Sequence, residues 1–326
     1  MTITQVTYLT FAVVLVLALV FDLGMLSKKD SVVSIKKALY QTLFWVGLSL
    51  GFCVFLFFEK NSVVATKYFT AYLMEWSLSV DNIFVFILIF TFFKVDARDT
   101  GRALLIGILL AIVLRIIFIT IGIGLIERFH WLLYIFGAFL LYTGVRLFFQ
   151  KEEDEFDPAK SKIYRILTKY LRISSVQTHG KYMIKENGKT YFTNLALVVL
   201  MLAGIDLVFA MDSIPTVVSL VKEKSAKSFS QDDVLVIYSS NIFAVLGLRS
   251  LFFLLQGAVN KFDYLQQGIA VVLAFIGVKM LVEYFNIHIS IYISLIVIVF
   301  CLATSILYSV YRQKIKESPD IDDSSI

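Results

Sequence analysis

Proline, cysteine and histidine are nearly absent from this 326-residue chain, with three, two and three copies, and charged side chains make up only 17%. So little proline excludes extended proline-rich linkers. Cys53 and Cys301 both fall inside apolar runs, which is the setting of small packing residues and excludes a disulfide framework or a cysteine-based metal site. His130, His179 and His288 sit at the ends of apolar runs or in loops. The soft-ligand chemistry of Cu⁺ and the usual ligands of Zn²⁺ are therefore missing from the apolar part of the chain.

What is present is apolar surface. Hydrophobic residues make up 59% of the sequence and the mean hydropathy is +0.82. A soluble domain of this length has no interior large enough to hide so much, so the solvent for most of the chain is lipid. The formal charge of +5 is then no nucleic-acid footprint, because lysine and arginine in short membrane loops mainly set topology.

About 20 apolar residues are needed to cross a bilayer. Nine segments qualify: 7–26, 38–58, 68–93, 101–126, 130–150, 192–221, 233–258, 264–285 and 289–311. The first lacks a basic leader and is followed by Lys28 and Lys29, as in a retained span. The expectation is an all-α polytopic protein, with one transmembrane domain over 1–316 and a disordered tail over 317–326. Basic residues crowd one set of connections (28–37, 94–102, 151–190, Lys261 and Arg312 to Lys316). The other set holds only Lys60, Lys67, Arg128, Lys222, Lys224 and Lys227. The positive-inside bias puts the N-terminus outside and the C-terminus in the cytoplasm of a multi-pass protein of the cell membrane, surrounded by lipid.

The 151–190 loop is the one sizeable polar element. Lys162 to Arg172 carries apolar residues at helical spacing against a basic face, which reads as a helix lying on the inner leaflet. Asn187-Gly188 between short strand-like runs signals a hairpin.

Charges inside the apolar segments form a repeat. Glu75 and Asp81, followed by Asn82, are echoed by Asp206 and Asp212, followed by Ser213. Arg115 then answers to Arg249, and Gly144-Val145-Arg146-Leu147 to Gly277-Val278-Lys279-Met280. Spans 3–5 (about 68–150) and 6–8 (about 192–285) are thus expected to be two copies of one unit. Three spans per copy make the second inverted relative to the first, an arrangement that places binding sites at the bilayer midplane. If the two acid-bearing helices cross at the centres of their motifs, Glu75 falls level with Asp212 and Asp81 with Asp206. Pro215 suggests local unwinding just beyond Asp212.

Each carboxylate at the bilayer centre costs about 2.5–3.5 kcal/mol. Ion pairing with Arg115, Arg146, Arg249 and Lys279 as counter-charges is one compensation, although buried pairs are poor stabilisers compared with apolar packing. The other is a hard cation. Glu75, Asp81, Asp206 and Asp212 with Asn82, Ser213 and Asn241 supply oxygen ligands suited to Mn²⁺, Mg²⁺ or Ca²⁺, with protonation of the acids offering proton exchange. The ion is cargo here, and no prosthetic group is implied.

The stretches EWSLSVDNIFVF (75–86), DLVFAMDSIP (206–215), SNIFAVLGLR (240–249) and FIGVKM (275–280) resemble the TerC family of integral membrane proteins, which includes the Alx proteins. The resemblance implies Mn²⁺ efflux through the acidic motifs, and for some relatives metal supply to exported enzymes. The family commonly has a further glutamate three residues before the first acid of the second motif, where this chain has Ala203. Export of Ca²⁺ or another divalent cation stays open, as does a non-transporting scaffold for metal or tellurite stress. An intramembrane aspartyl protease is disfavoured, since neither Asp206 nor Asp212 follows Gly-x-Gly, and no enzymatic activity is expected. The driving ion and the oligomeric state are not encoded in any of these features.

Overall fold

The computed structural model describes residues 3–26, 34–129, 131–149, 158–174, 180–186, 188–222, 228–256, 264–285, 287 and 289–317. Among these, nine long helices coincide with the nine apolar segments: α1 (Ile3–Leu26), α2 (Ile35–Glu59), α3 (Ser62–Phe92), α4 (Ala97–Arg128), α5 (Leu132–Phe149), α7 (Asn194–Val221), α8 (Gln231–Gln256), α9 (Leu265–Val282) and α10 (Ile291–Glu317). A short α6 (Lys162–Tyr170) and a hairpin of β1 (Met183–Glu186) with β2 (Lys189–Phe192) complete them. By length and composition α2, α4, α5, α7, α8 and the 292–312 part of α10 are long and apolar enough to cross a membrane; α1 and α9 add shorter apolar stretches.

Polar residues mark the helix boundaries. Asn61 caps α3, its Oδ1 accepting from the Val64 amide at 2.8 Å, and Thr193 caps α7 while donating its hydroxyl to the Lys181 carbonyl. The Thr193 pair of bonds ties the hairpin to the start of α7. Pro215 lies inside α7, which nevertheless runs unbroken to Val221, so the unwinding expected there does not occur. Thr216 donates to the Asp212 carbonyl and holds that turn closed.

The central helix is α8, packed by α2, α3, α4 and α7, with every residue from Ser239 to Phe252 buried. Around it α3 packs on α8 as α4 packs on α7, and α5 lies along α9. This is the reciprocity of an inverted repeat, and two glycines show it at atomic scale. A Cβ on Gly144 would meet the Ala270 carbonyl oxygen and the Ala274 nitrogen at 2.7 and 2.6 Å. A Cβ on Gly277 would meet the Gly137 oxygen and the Leu141 nitrogen at 2.7 and 2.5 Å. Each contact maps onto the other when α5 and α9 are exchanged, and the two helices run antiparallel.

The core divides in the same way. One apolar cluster holds the beginning of α3 and of α8 with the ends of α4 and α7 (Tyr68, Ile119, Val217, Leu235). The other holds the end of α3 and of α8 with the beginnings of α4 and α7 (Phe86, Leu104, Val198, Phe252). A polar layer lies between them.

The connections sort to two ends. At one, Lys60 pairs with Asp232 and Lys67 with Asp233, both at 2.8 Å, and the Phe229 amide donates to Glu127. At the other, Tyr164 of α6 packs on Phe93, the Gly180 amide donates to Asp99, and Ile163 sits on Gly204 of α7. Ile163, Tyr164 and Leu167 of α6 pack on protein, while Lys162, Arg165 and Lys169 are exposed together with the apolar Ile166 and Tyr170.

Candidate functional site

The polar layer is built around Arg115. It sits near the middle of α4 and is 1% exposed, as are Glu75 of α3 and Asp206 of α7, each near the middle of its own helix. Its guanidinium grips Asp206 side-on, Nε donating to Oδ2 at 2.6 Å and Nη2 to Oδ1 at 3.0 Å. The remaining arm donates from Nη1 to Glu75 Oε2 at 3.2 Å. Glu75 Oε1 accepts from Asn241 Nδ2 of α8 at 2.7 Å. One network thus ties together α3, α4, α7 and α8, two helices from each repeat.

The first acids of the two motifs are therefore brought together by one arginine. Glu75 is thus joined to Asp206 and not to the expected Asp212, while the expected pairing of Asp81 with Asp206 falls outside the described residues. The two acid-bearing helices meet at Glu75 and Asp206, because the cation that both need reaches from α4 at that level. No ion pair or hydrogen bond joins Asp212 to the network among the described residues. It is half-buried six residues, about 9 Å of helical rise, beyond Asp206. Asp81 lies on α3, but its side chain is outside the described residues, as are His130, His179 and His288.

The counter-charges divide. Arg115 performs that role; Arg249 is buried on α8. Lys279 is buried on α9 and donates to the Ser219 carbonyl of α7 at 3.4 Å. Arg146, its equivalent in sequence, is exposed and is no counter-charge to the cluster. The reason lies in what flanks the repeats. Helix α10 packs along α9, whereas among the described residues no terminal helix packs comparably on α5, so the same register position meets protein in one copy and the surroundings in the other.

The layer carries more polar capacity than it uses. Among the described residues Asp212 Oδ1, Asn241 Oδ1 and the Ser77 and Ser79 hydroxyls are buried without a hydrogen-bond partner, and the buried Ser213 hydroxyl lies beside Glu75. Asn82 is buried beside Asp81. Such atoms are rare in folded proteins and mark bound water, an ion or a functional need. With both acids ionised, Glu75, Asp206 and Arg115 together hold one formal negative charge in excess. Among the described residues no three acidic, histidine or cysteine side chains converge as a ready metal cage. The set instead offers carboxylate, amide and hydroxyl oxygens around a tethered cation. Sequence reasoning missed the buried Lys67–Asp233 pair, in which Lys67 is 6% exposed although it reads as a topology-setting residue; the acidic first turn of α8 was the available signal.

The chain is similar to proteins from several bacteria. It is 38% identical to an uncharacterised membrane protein of Rickettsia felis, over 94% of this chain and 98% of that one. It is 36% identical to an uncharacterised membrane protein of Myxococcus xanthus, over 96% and 94%. It is 40% identical to Alx of Salmonella typhi, a candidate membrane-bound redox modulator, over 87% and 88%. No solved structure matches. The integral membrane protein TerC family matches residues 60–317, a span that contains the whole Glu75–Arg115–Asp206–Asn241 network. The chain belongs to the TerC family of integral membrane proteins.

Proposed function

We propose that the protein is a divalent-cation transporter that moves Mn²⁺ out of the cytoplasm, with the polar layer as its mid-membrane ion site and protons as counter-ions. The observation that carries this reading is Arg115, clasped by one carboxylate from each repeat. A guanidinium between two acids occupies the place a mobile cation would take. An arriving Mn²⁺ competes for Asp206 and Glu75, with Asn241 Oδ1, Ser213 and Asp212 as further oxygen donors. Hard oxygen donors favour Mn²⁺, Mg²⁺ and Ca²⁺ over softer metals. Ala203 in place of the family's glutamate removes one acid a turn from Asp206, and favours a site with fewer charged ligands. The N-terminus faces outside, so α6 and the hairpin lie in the cytoplasm.

Purified protein in sealed vesicles, loaded with a metal-quenched dye, tests the reading. Mn²⁺ entry above that of empty vesicles is expected, with loss of about tenfold or more in Asp206→Asn and Asp212→Asn. Wild-type vesicles no more permeable than empty ones, to Mn²⁺ or to Ca²⁺, Mg²⁺, Fe²⁺ and Zn²⁺ in turn, would overturn it. Redox modulation, after the Alx relatives, is a second reading. Cys53 and Cys301 are both free, on α2 and α10. A Cys53→Ser/Cys301→Ser variant that loses the cellular phenotype would favour thiol chemistry; one that keeps it favours transport.

A further inference from the structure

Helices α3 and α8 are joined by two polar contacts in one register. Lys67 Nζ donates to Asp233 Oδ1 at 2.8 Å and Asn241 Nδ2 donates to Glu75 Oε1 at 2.7 Å, and in both the partners are 166 residues apart. The two helices therefore run in the same direction. Each advances about 12 Å of rise, a little over two turns, from one contact to the other. Midway, in the same register, stand Ala71 and Ile237, both fully buried in one apolar cluster. The seam is a ladder of three rungs: an ion pair at the end of the bundle, a dry apolar rung, and the Glu75 contact of the polar layer.

The end rung is firmly built. Asp233 Oδ2 accepts from the Ser230 amide at 3.1 Å, and Ser230 Oγ accepts from the Asp233 amide at 3.1 Å, so the start of α8 fixes the carboxylate that Lys67 reaches from α3. Both charged partners are buried, and a buried ion pair stabilises a fold poorly compared with apolar packing. The other repeat shows that alternative. With Glu75 answering to Asp206 and Arg115 to Arg249, Lys67 answers to Val198 and Asp233 to Asp99. Val198 is fully buried, and Asp99 accepts the Gly180 amide instead. The same place in the fold is thus filled by an apolar side chain, so packing does not require the charge at Lys67.

What an ion pair offers that valine does not is reversibility. Two charges that part into water regain hydration, which offsets most of their lost attraction. We propose that Lys67–Asp233 is a latch that closes the α3–α8 seam at the end of the bundle placed outside, and that it parts when a cation leaves the Glu75 level toward that end. With the latch shut, the Ala71–Ile237 rung stays dry and Asn241 stays on Glu75. With it open, water reaches that rung, and α8 is released from the register that holds Asn241 against the carboxylate. The cargo and its direction rest on the transport reading; the closure of the seam does not.

Ala71→Cys in a Cys53→Ala/Cys301→Ala background reads the latch in the full chain in micelles, using a small, charged, water-soluble thiol reagent. With Lys67 and Asp233 in place the thiol is expected to react slowly. Lys67→Gln/Asp233→Asn should speed the reaction about tenfold or more, and the exchanged pair Lys67→Asp/Asp233→Lys should slow it again. Equal rates in the three proteins would overturn the inference. A second measurement does not need the neutral pair to fold: Lys67→Cys/Asp233→Cys in the same background, in sealed vesicles, is bridged by a short linker that forms a disulfide with each thiol. Mn²⁺ flux is expected to fall to the level of empty vesicles once the bridge is made and to return when a reductant cleaves it. Undiminished flux through fully bridged protein removes the latch. Wild-type vesicles that move no cation defeat the transport reading instead, and the labelling rates then decide the latch alone.

Discussion

Arg115 is where the chain commits most at a single position, since a guanidinium, two carboxylates and an amide are removed from solvent together. The acids were legible in the sequence because charge inside an apolar run is costly and cannot be accidental at matched spacing. Their partners were not, because an α-helix turns 100° per residue and small changes in crossing decide which acid an arginine reaches. The ionised trio carries one excess negative charge, so removing its only cation should be severe. Arg115→Met is expected to cost about 3–5 kcal/mol, read as a lowered unfolding temperature in micelles. Adding Glu75→Gln and Asp206→Asn to it should restore much of that loss, because the uncompensated charges go with it. Arg115→Lys should fall between, keeping the charge but losing the side-on grip on Asp206. An Arg115→Met protein as stable as wild type would show that the trio is not mutually compensating.

Among the elements, α5 and α9 approach backbone to backbone, and glycine makes it possible. Backbone atoms, not flexible side chains, stand within 3 Å of where a Cβ would be on Gly144 or Gly277. Gly144→Ala and Gly277→Ala should each cost about 1–3 kcal/mol by forcing the helices apart. Together they should cost less than the sum, since the first has already opened the shared interface. Gly122→Ala on α4, where a Cβ meets nothing within 4 Å, should change stability by no more than about 0.5 kcal/mol. Unfolding midpoints of the four proteins test this, and an additive double variant would mean that the two glycines act separately. The α6 contact follows similar logic. A Cβ on Gly204 would be 3.1 Å from Ile163 Cγ2, so Gly204→Val should lift α6 and make 158–174 cleave faster in limited proteolysis. Unchanged cleavage would show that Ile163 does not hold α6 down. This docking was not legible in the sequence, where an amphipathic basic segment looks the same whether its apolar side meets lipid or a glycine notch.

Across the whole molecule, hydropathy located the nine long helices, and the recurring charges located the relation between the two halves; both are one-dimensional signals that survive without knowledge of contacts. Where the halves differ, at Arg146 against Lys279, the difference goes with α10, which lies outside the repeat and packs along α9. Sidedness follows from combining both kinds of information. The structure places α6 and the hairpin against the 93–99 region, so two of the basic connections share one end of the bundle. The opposite end pairs Lys60 and Lys67 with Asp232 and Asp233, which cancels the charge of those two lysines. On the proposed reading, retention of positive loops in the cytoplasm would orient the bundle with α6 inside. A fluorescent protein fused after α10 should fold and fluoresce in the cytoplasm, and a cysteine placed at Ser62 should react with a membrane-impermeant reagent on intact cells. A dark C-terminal fusion with an unreactive Ser62→Cys would invert the molecule, and with it the direction in which the proposed cation leaves.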